Sequence, residues 1–124
     1  MKQIDTKELQ NQLQAFVNDT VYVHLETTNG AYAAHHNEGF LSAGVFLRNG
    51  RIQVERATIK GDGPYRIGIK LPEGWLYAEG LTHFEKTPTQ LLIAGLNAEG
   101  RLAVALQLSR QPFGDQNKGV DAND

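Results

Sequence analysis

From Val21 onward, apolar and polar residues alternate with a period of two, and turn signals cut that alternation into consecutive pairs of segments. Such alternation marks strands that bury one face and leave the other to solvent. "VYVHLETT" and "AYAAHH" flank Asn29-Gly30, and "AGVFLR" and "RIQVERATIK" flank Asn49-Gly50. Asn-Gly suits both positive-φ positions of a two-residue type I′ turn, so each pair reads as a hairpin. "YRIGIKL" and "WLYAEGL" form a third hairpin around "PEG", and "LLIAGL" and "RLAVALQLS" a fourth around "NAEG". Four successive hairpins predict an all-β (mainly β) fold, an antiparallel sandwich or barrel of about eight strands.

One helix precedes the strands. Asp5 with Glu8 has the spacing of a capping box, and Ile4 with Leu9 that of a hydrophobic staple. Leu9, Leu13, Phe16 and Val17 then form one apolar stripe, which predicts a helix over 5–17. So short a helix needs support and is expected to cover an edge or an open end of the β-structure. A chain of 124 residues suits one domain, expected over 1–113, and the polar residues 114–124 are expected to be a disordered tail.

Register follows from the Asn-Gly turns. Around Asn49-Gly50, Val45 should face Val54 and Leu47 should face Ile52. In the last hairpin Leu91, Ile93, Leu102, Val104, Leu106 and Leu108 alternate onto one face, a core layer. Leu92 and Leu96 fall on the other face, which predicts cover by the helix or by a second subunit, hence a homodimer.

Composition excludes several functions. With no cysteine there are no disulfides and no thiolate metal sites, which fits a reducing, cytoplasmic setting. Twelve basic and fourteen acidic residues give a net charge of −2, without a nucleic-acid footprint. No apolar run approaches the roughly 20 residues that span a bilayer. The first twenty residues are polar and do not read as a signal peptide.

The candidate metal site comes from the first hairpin, where His24 should lie opposite His35 with Glu26 two residues along on the same face. Two imidazoles and a carboxylate suit a divalent metal. His36 points the other way, and His83 is the candidate fourth ligand. Cross-strand polar pairs are also ordinary sheet stabilisation, and a structural or interface role outweighs the metal reading. In "KGDGPYRIG", Lys60 and Arg66 are candidate contacts for an anionic ligand, although the phosphate-loop ending is missing. Trp75 and Tyr77 share a face, for which core packing is expected over a stacking platform. No nucleophile elbow or catalytic triad pattern is present.

The stretches "VYVHLETTNGAYAAHHNE", "ATIKGDGPYRIGIKLPEGWLYAEGLT" and "LAVALQLSRQPF" together resemble the YojF family of bacilli, from about Val21 to Phe113. The resemblance implies a mainly-β, distorted sandwich and brings no catalytic residues. The family is of unknown function, and its genes tend to neighbour one for a deacetylase of the bacillithiol pathway. The expectation is therefore a non-catalytic binding or accessory protein, serving such a thiol-metabolism enzyme as partner. The alternatives are a metal-binding protein or metal-dependent enzyme using His24, Glu26 and His35, and a small-ligand carrier.

Overall fold

The computed structural model describes residues 1–27 and 44–114. Its elements are β1 (Lys2–Gln3), α1 (Thr6–Gln14), β2 (Thr20–Thr27), β3 (Val45–Gln53) and β4 (Arg56–Lys60). They continue with β5 (Tyr65–Leu71), β6 (Gly74–Leu81), β7 (His83–Lys86), β8 (Gln90–Leu96) and β9 (Leu102–Ser109). The strands form two antiparallel sheets, β1-β7-β8-β9-β2-β3 and β4-β5-β6, which pack as a sandwich and do not close into a barrel.

The helix begins as its sequence predicts. Asp5 accepts a hydrogen bond from the Glu8 backbone N–H at 3.1 Å, while the Glu8 carboxylate turns outward to Lys2. Leu9 and Leu13 are fully buried and Phe16 nearly so. Regular helix stops at Gln14, short of the expected 17. Beyond it Phe16 and Val17 bond back only three residues, and Asn18 turns the chain with φ 74°. The helix covers an edge, as expected. The Gln10 side chain donates to the Ala57 carbonyl and accepts from the Ile59 N–H, so an amide stands in for a neighbouring strand along β4.

Two of the four hairpins form as read. β5 and β6 pair from Leu71↔Gly74 outward, and β8 and β9 join through a loop in which Gly100 takes φ 80°. The β8–β9 core layer is correct except for Leu102, which is exposed. An extra residue on β9 between the Gly95↔Val104 and Leu96↔Leu102 pairs turns Leu102 off the core face. On the opposite face Ala94 and Ala105 are buried, and Leu92 and Leu96 are half-buried.

Asn49-Gly50 is not a turn. β3 runs straight through it, paired with β2 as Val23↔Gly50 and Leu25↔Leu47. Two steps along β2 therefore match three along β3, a β-bulge with Asn49 at φ 58°. The predicted Val45–Val54 and Leu47–Ile52 pairs are replaced by Val45↔Thr27 and Ile52↔Val21. Val54, fully buried, marks the crossing from one sheet to the other. Asn29, Gly30, His35 and His36 lie outside the described residues, as do positions 115–124 of the expected tail. Over Tyr22–Thr27, however, β2 already has β9 on one edge and β3 on the other, so the ladder leaves no edge there for the predicted hairpin.

The core lies between the sheets. Val21, Val23, Phe84, Leu91, Ile93, Leu106 and Leu108 face Ala57, Ile67, Ile69 and Ala78, with Leu9, Leu13 and Phe16 closing one side.

Candidate functional site

His24 and Glu26 share the outer face of the larger sheet, as their two-residue spacing requires. The His24 ring is buried, and both its nitrogens are engaged: Nε2 meets Glu26 Oε1 at 3.1 Å and Nδ1 meets Arg48 Nη1 at 3.2 Å. A guanidinium can only donate, so Nδ1 accepts and the Nε2–H donates to Glu26. The rings of Phe46 and Phe113 stand edge-on to the imidazole at 5.3 and 6.2 Å. The bulge at Asn49 brings Arg48 onto this face. A cation beside Nδ1 opposes a metal there.

His83, the candidate fourth ligand, lies on the same face along the row Glu26–Ala105–Ala94–His83. Three strand spacings of about 4.8 Å put it roughly 14 Å from Glu26, too far to share an ion. Its Nδ1 pairs with the Thr82 hydroxyl at 2.7 Å. Among the described residues, no three His, Cys, Asp or Glu side chains converge on a metal position. Because both ring nitrogens of His24 are already engaged, adding Zn²⁺ or Ni²⁺ is expected to leave the melting temperature unchanged. His24→Ala should cost about 1–3 kcal/mol, by stripping two charged partners of a shared acceptor and donor. A metal-dependent rise that His24→Ala abolishes would support a metal at His24, Glu26 and His35.

The second locus is the outer face of β4-β5-β6. Period two places Arg56, Thr58 and Lys60 on that face of β4, Arg66, Gly68 and Lys70 on β5, and Trp75 and Tyr77 on β6. The register aligns them in rows: Arg56–Lys70–Trp75, Thr58–Gly68–Tyr77, and Lys60 beside Arg66. Lys60 and Arg66, the predicted anion contacts, are thus direct cross-strand neighbours.

Trp75 and Tyr77 are 44% and 52% exposed, which overturns the expectation that they pack in the core. They are on the face that solvent sees, because Ile67, Ile69 and Ala78 occupy the inner one. Their rings stack on each other at 5.6 Å and 7°. The Arg56 guanidinium lies 5.4 Å from the Trp75 ring and that of Arg66 5.4 Å from Tyr77, making a four-member column of cation, two rings and cation. Each exposed cation–π contact is worth about 0.5–1 kcal/mol, enough to order the column but not to lock it.

Gly68 gives the face its hollow. The Tyr77 ring leans over it so closely that a Cβ there would sit 2.8 Å from Tyr77 Cε1. The cavity of about 340 Å³ is lined by Arg56, Thr58, Lys60, Arg66, Gly68, Trp75 and Tyr77. The lining holds three cations, two hydroxyls (Thr58 and Tyr77) and no carboxylate. Glu79 reaches Arg66 only at 3.9 Å. Such a surface can hold an anion and stack a planar group.

Fold and site define an antiparallel two-sheet β protein with an open aromatic and basic face and no catalytic constellation among its described residues. The chain belongs to the family described as "Protein of unknown function (DUF1806)", whose model matches residues 3–113. It is 45% identical over 114 residues to the uncharacterized protein YojF of Bacillus subtilis (strain 168), covering 91% of this chain and 98% of that protein. The crystal structure of Bacillus subtilis YojF superposes with a TM-score of 0.74 at 40% identity, over 90% of this chain and 95% of that one. The resemblance seen in the sequence is therefore the family relationship.

Arg56, Thr58, Trp75 and Tyr77 escaped the sequence reading as site residues. A signal was present, since "RATIK", "RIGIK" and "WLY" each put charged, small or aromatic residues on alternate positions. Which of the two faces meets solvent is not written in the alternation.

Proposed function

We propose that the chain is a non-catalytic binding protein whose ligand surface is the outer face of β4-β5-β6, suited to an anionic ligand with a planar apolar part. The exposed Arg56–Trp75–Tyr77–Arg66 column beside the carboxylate-free hollow carries this reading. The finer features belong to the same proposal: one domain over residues 1–113, a cytoplasmic setting, a homodimer, and service to a neighbouring thiol-metabolism deacetylase. The absence of cysteine supports the setting. Val45, Phe46 and Leu47, exposed at 49%, 67% and 39% on the outer strand β3, support a second chain or a partner.

Trp75 is the sole tryptophan, so its fluorescence reports this face directly. Titration with 1-naphthyl phosphate is expected to change that signal saturably, whereas inorganic phosphate should bind more weakly for want of a ring to stack. Arg66→Ala should weaken binding about tenfold, the loss of one charge-assisted hydrogen bond. Gly68→Val, which fills the hollow, should abolish it. An unchanged tryptophan signal across the titration, in protein shown to be folded, would overturn the reading.

A further inference from the structure

Resting on that binding reading, we infer that the face takes single-stranded nucleic acid, with bases stacked on Trp75 and Tyr77 and successive phosphates held by Arg56, Lys60 and Arg66. A single small anion does not satisfy the cation spacing. Arg56 and Lys60 stand four residues apart on β4, about 13 Å at roughly 3.3 Å per residue, more than one phosphate can bridge. The cations lie on β4 and β5 and the rings on the adjacent β6, so a positive track runs beside a stacking strip. This is the arrangement by which open sheet faces hold unpaired strands.

Overall charge conceals this. The chain carries −2, yet four of its twelve basic residues, Arg56, Lys60, Arg66 and Lys70, share this one face of three short strands. Lys70 is drawn toward Glu55 at 3.4 Å and the Leu71 carbonyl, and Arg66 reaches Glu79 only at 3.9 Å. Arg56 and Lys60 form no ion pair among the described residues. The track is left for an external polyanion.

The column also sets where bases go. Rings with centroids 5.6 Å apart leave no room for a base between them, since two stacking steps of about 3.4 Å need roughly 7 Å. The Arg56 guanidinium lies over the Trp75 ring and that of Arg66 over the Tyr77 ring, and both rings stay about half exposed. Each arginine can swing from its ring to a phosphate as a base takes its place. That exchanges a weak cation–π contact for a stacked base and a charge-assisted hydrogen bond. A duplex keeps its base faces inside the stack, so only an unpaired strand can use both rings and cations.

The test is fluorescence anisotropy with labelled oligo(dT) and oligo(rU) of about twelve nucleotides, within the usual footprint of such faces. A duplex of the same length serves as comparison. Single strands should bind at least tenfold tighter than duplex, with log K falling against log salt at a slope near −2, about −0.7 for each of three phosphates. Trp75→Ala should weaken binding about tenfold or more with the slope intact. Lys60→Ala should lower the slope by about 0.7. Both positions are exposed, and far-ultraviolet circular dichroism verifies that the variants fold. Binding of only one of the two strands still supports the inference. Equal affinity for duplex, Trp75→Ala without effect, or no oligonucleotide binding while 1-naphthyl phosphate binds would each overturn it and leave the binding reading standing. Failure of both ligands removes both.

Discussion

Gly95→Ala is expected to destabilise the protein by about 3 kcal/mol, lowering the melting temperature by roughly 10 °C. Gly95 lies where β8 meets β6, the contact between the two sheets. A Cβ there would overlap the Gly80 carbonyl oxygen outright and come within 2.5 Å of Val104 Cγ1. One obstacle is backbone and the other a methyl of a β-branched residue with little rotamer freedom, so relief requires the sheets to move apart. Gly100→Ala makes the contrast. Gly100 has φ 80°, and a Cβ added to it would meet nothing within 4 Å, so alanine there carries only the left-handed backbone cost of about 1–2 kcal/mol. Chemical denaturation of both variants decides it. A Gly95→Ala protein as stable as Gly100→Ala would mean that the sheets do not meet at Gly80.

Asn49→Ala should cost about 2–3 kcal/mol, from two separable sources. Alanine resists the left-handed conformation that Asn49 adopts at φ 58°. The side-chain amide also grips the C-terminal segment like a strand neighbour. Its Nδ2–H donates to the Phe113 carbonyl at 3.0 Å, and its Oδ1 accepts from the Phe113 N–H at 2.7 Å. Phe113 is buried, so losing the amide leaves a backbone pair short of partners, at about 1–3 kcal/mol. Asn49→Gly keeps the conformation and loses only the grip, so it should be about 1 kcal/mol less harmful. Equal losses for alanine and glycine in urea titrations would show that the backbone conformation contributes nothing. The loss should also reach His24, since Phe113 packs against its ring and beneath the Arg48 guanidinium, 5.1 Å from the Phe113 centroid.

That same asparagine separates what is local from what is not. Asn-Gly advertises a positive φ, and both a two-residue turn and a bulge need one. The local signal is identical, and only the pairing of β3 with β2 along its whole length selects the bulge. For β5 with β6 and β8 with β9, where a short loop joins neighbouring strands, turn chemistry and alternation were enough to predict the hairpin, though not the bulge that turns Leu102 outward. β2 instead lies between β3 and β9, the latter some eighty residues on, and nothing near Val21 encodes that neighbour.

The sites divide in the same way. His24 with Glu26 was visible from two-residue spacing. Lys60 and Arg66 were visible as candidates because they bracket one Gly-rich stretch, although their cross-strand pairing came from the structure. Arg48 and Phe113, which complete the surroundings of His24, arrive through the bulge and the C-terminal segment. The face holding Trp75 and Tyr77 was legible as one face but not as an outer one. Alternation by itself determined which side chains travel together on a strand, since that is fixed by the pleat. Which of two faces is buried depends on what packs against it, and only the tertiary structure decided that, by setting Ile67, Ile69 and Ala78 against the larger sheet and leaving the rings and cations to solvent.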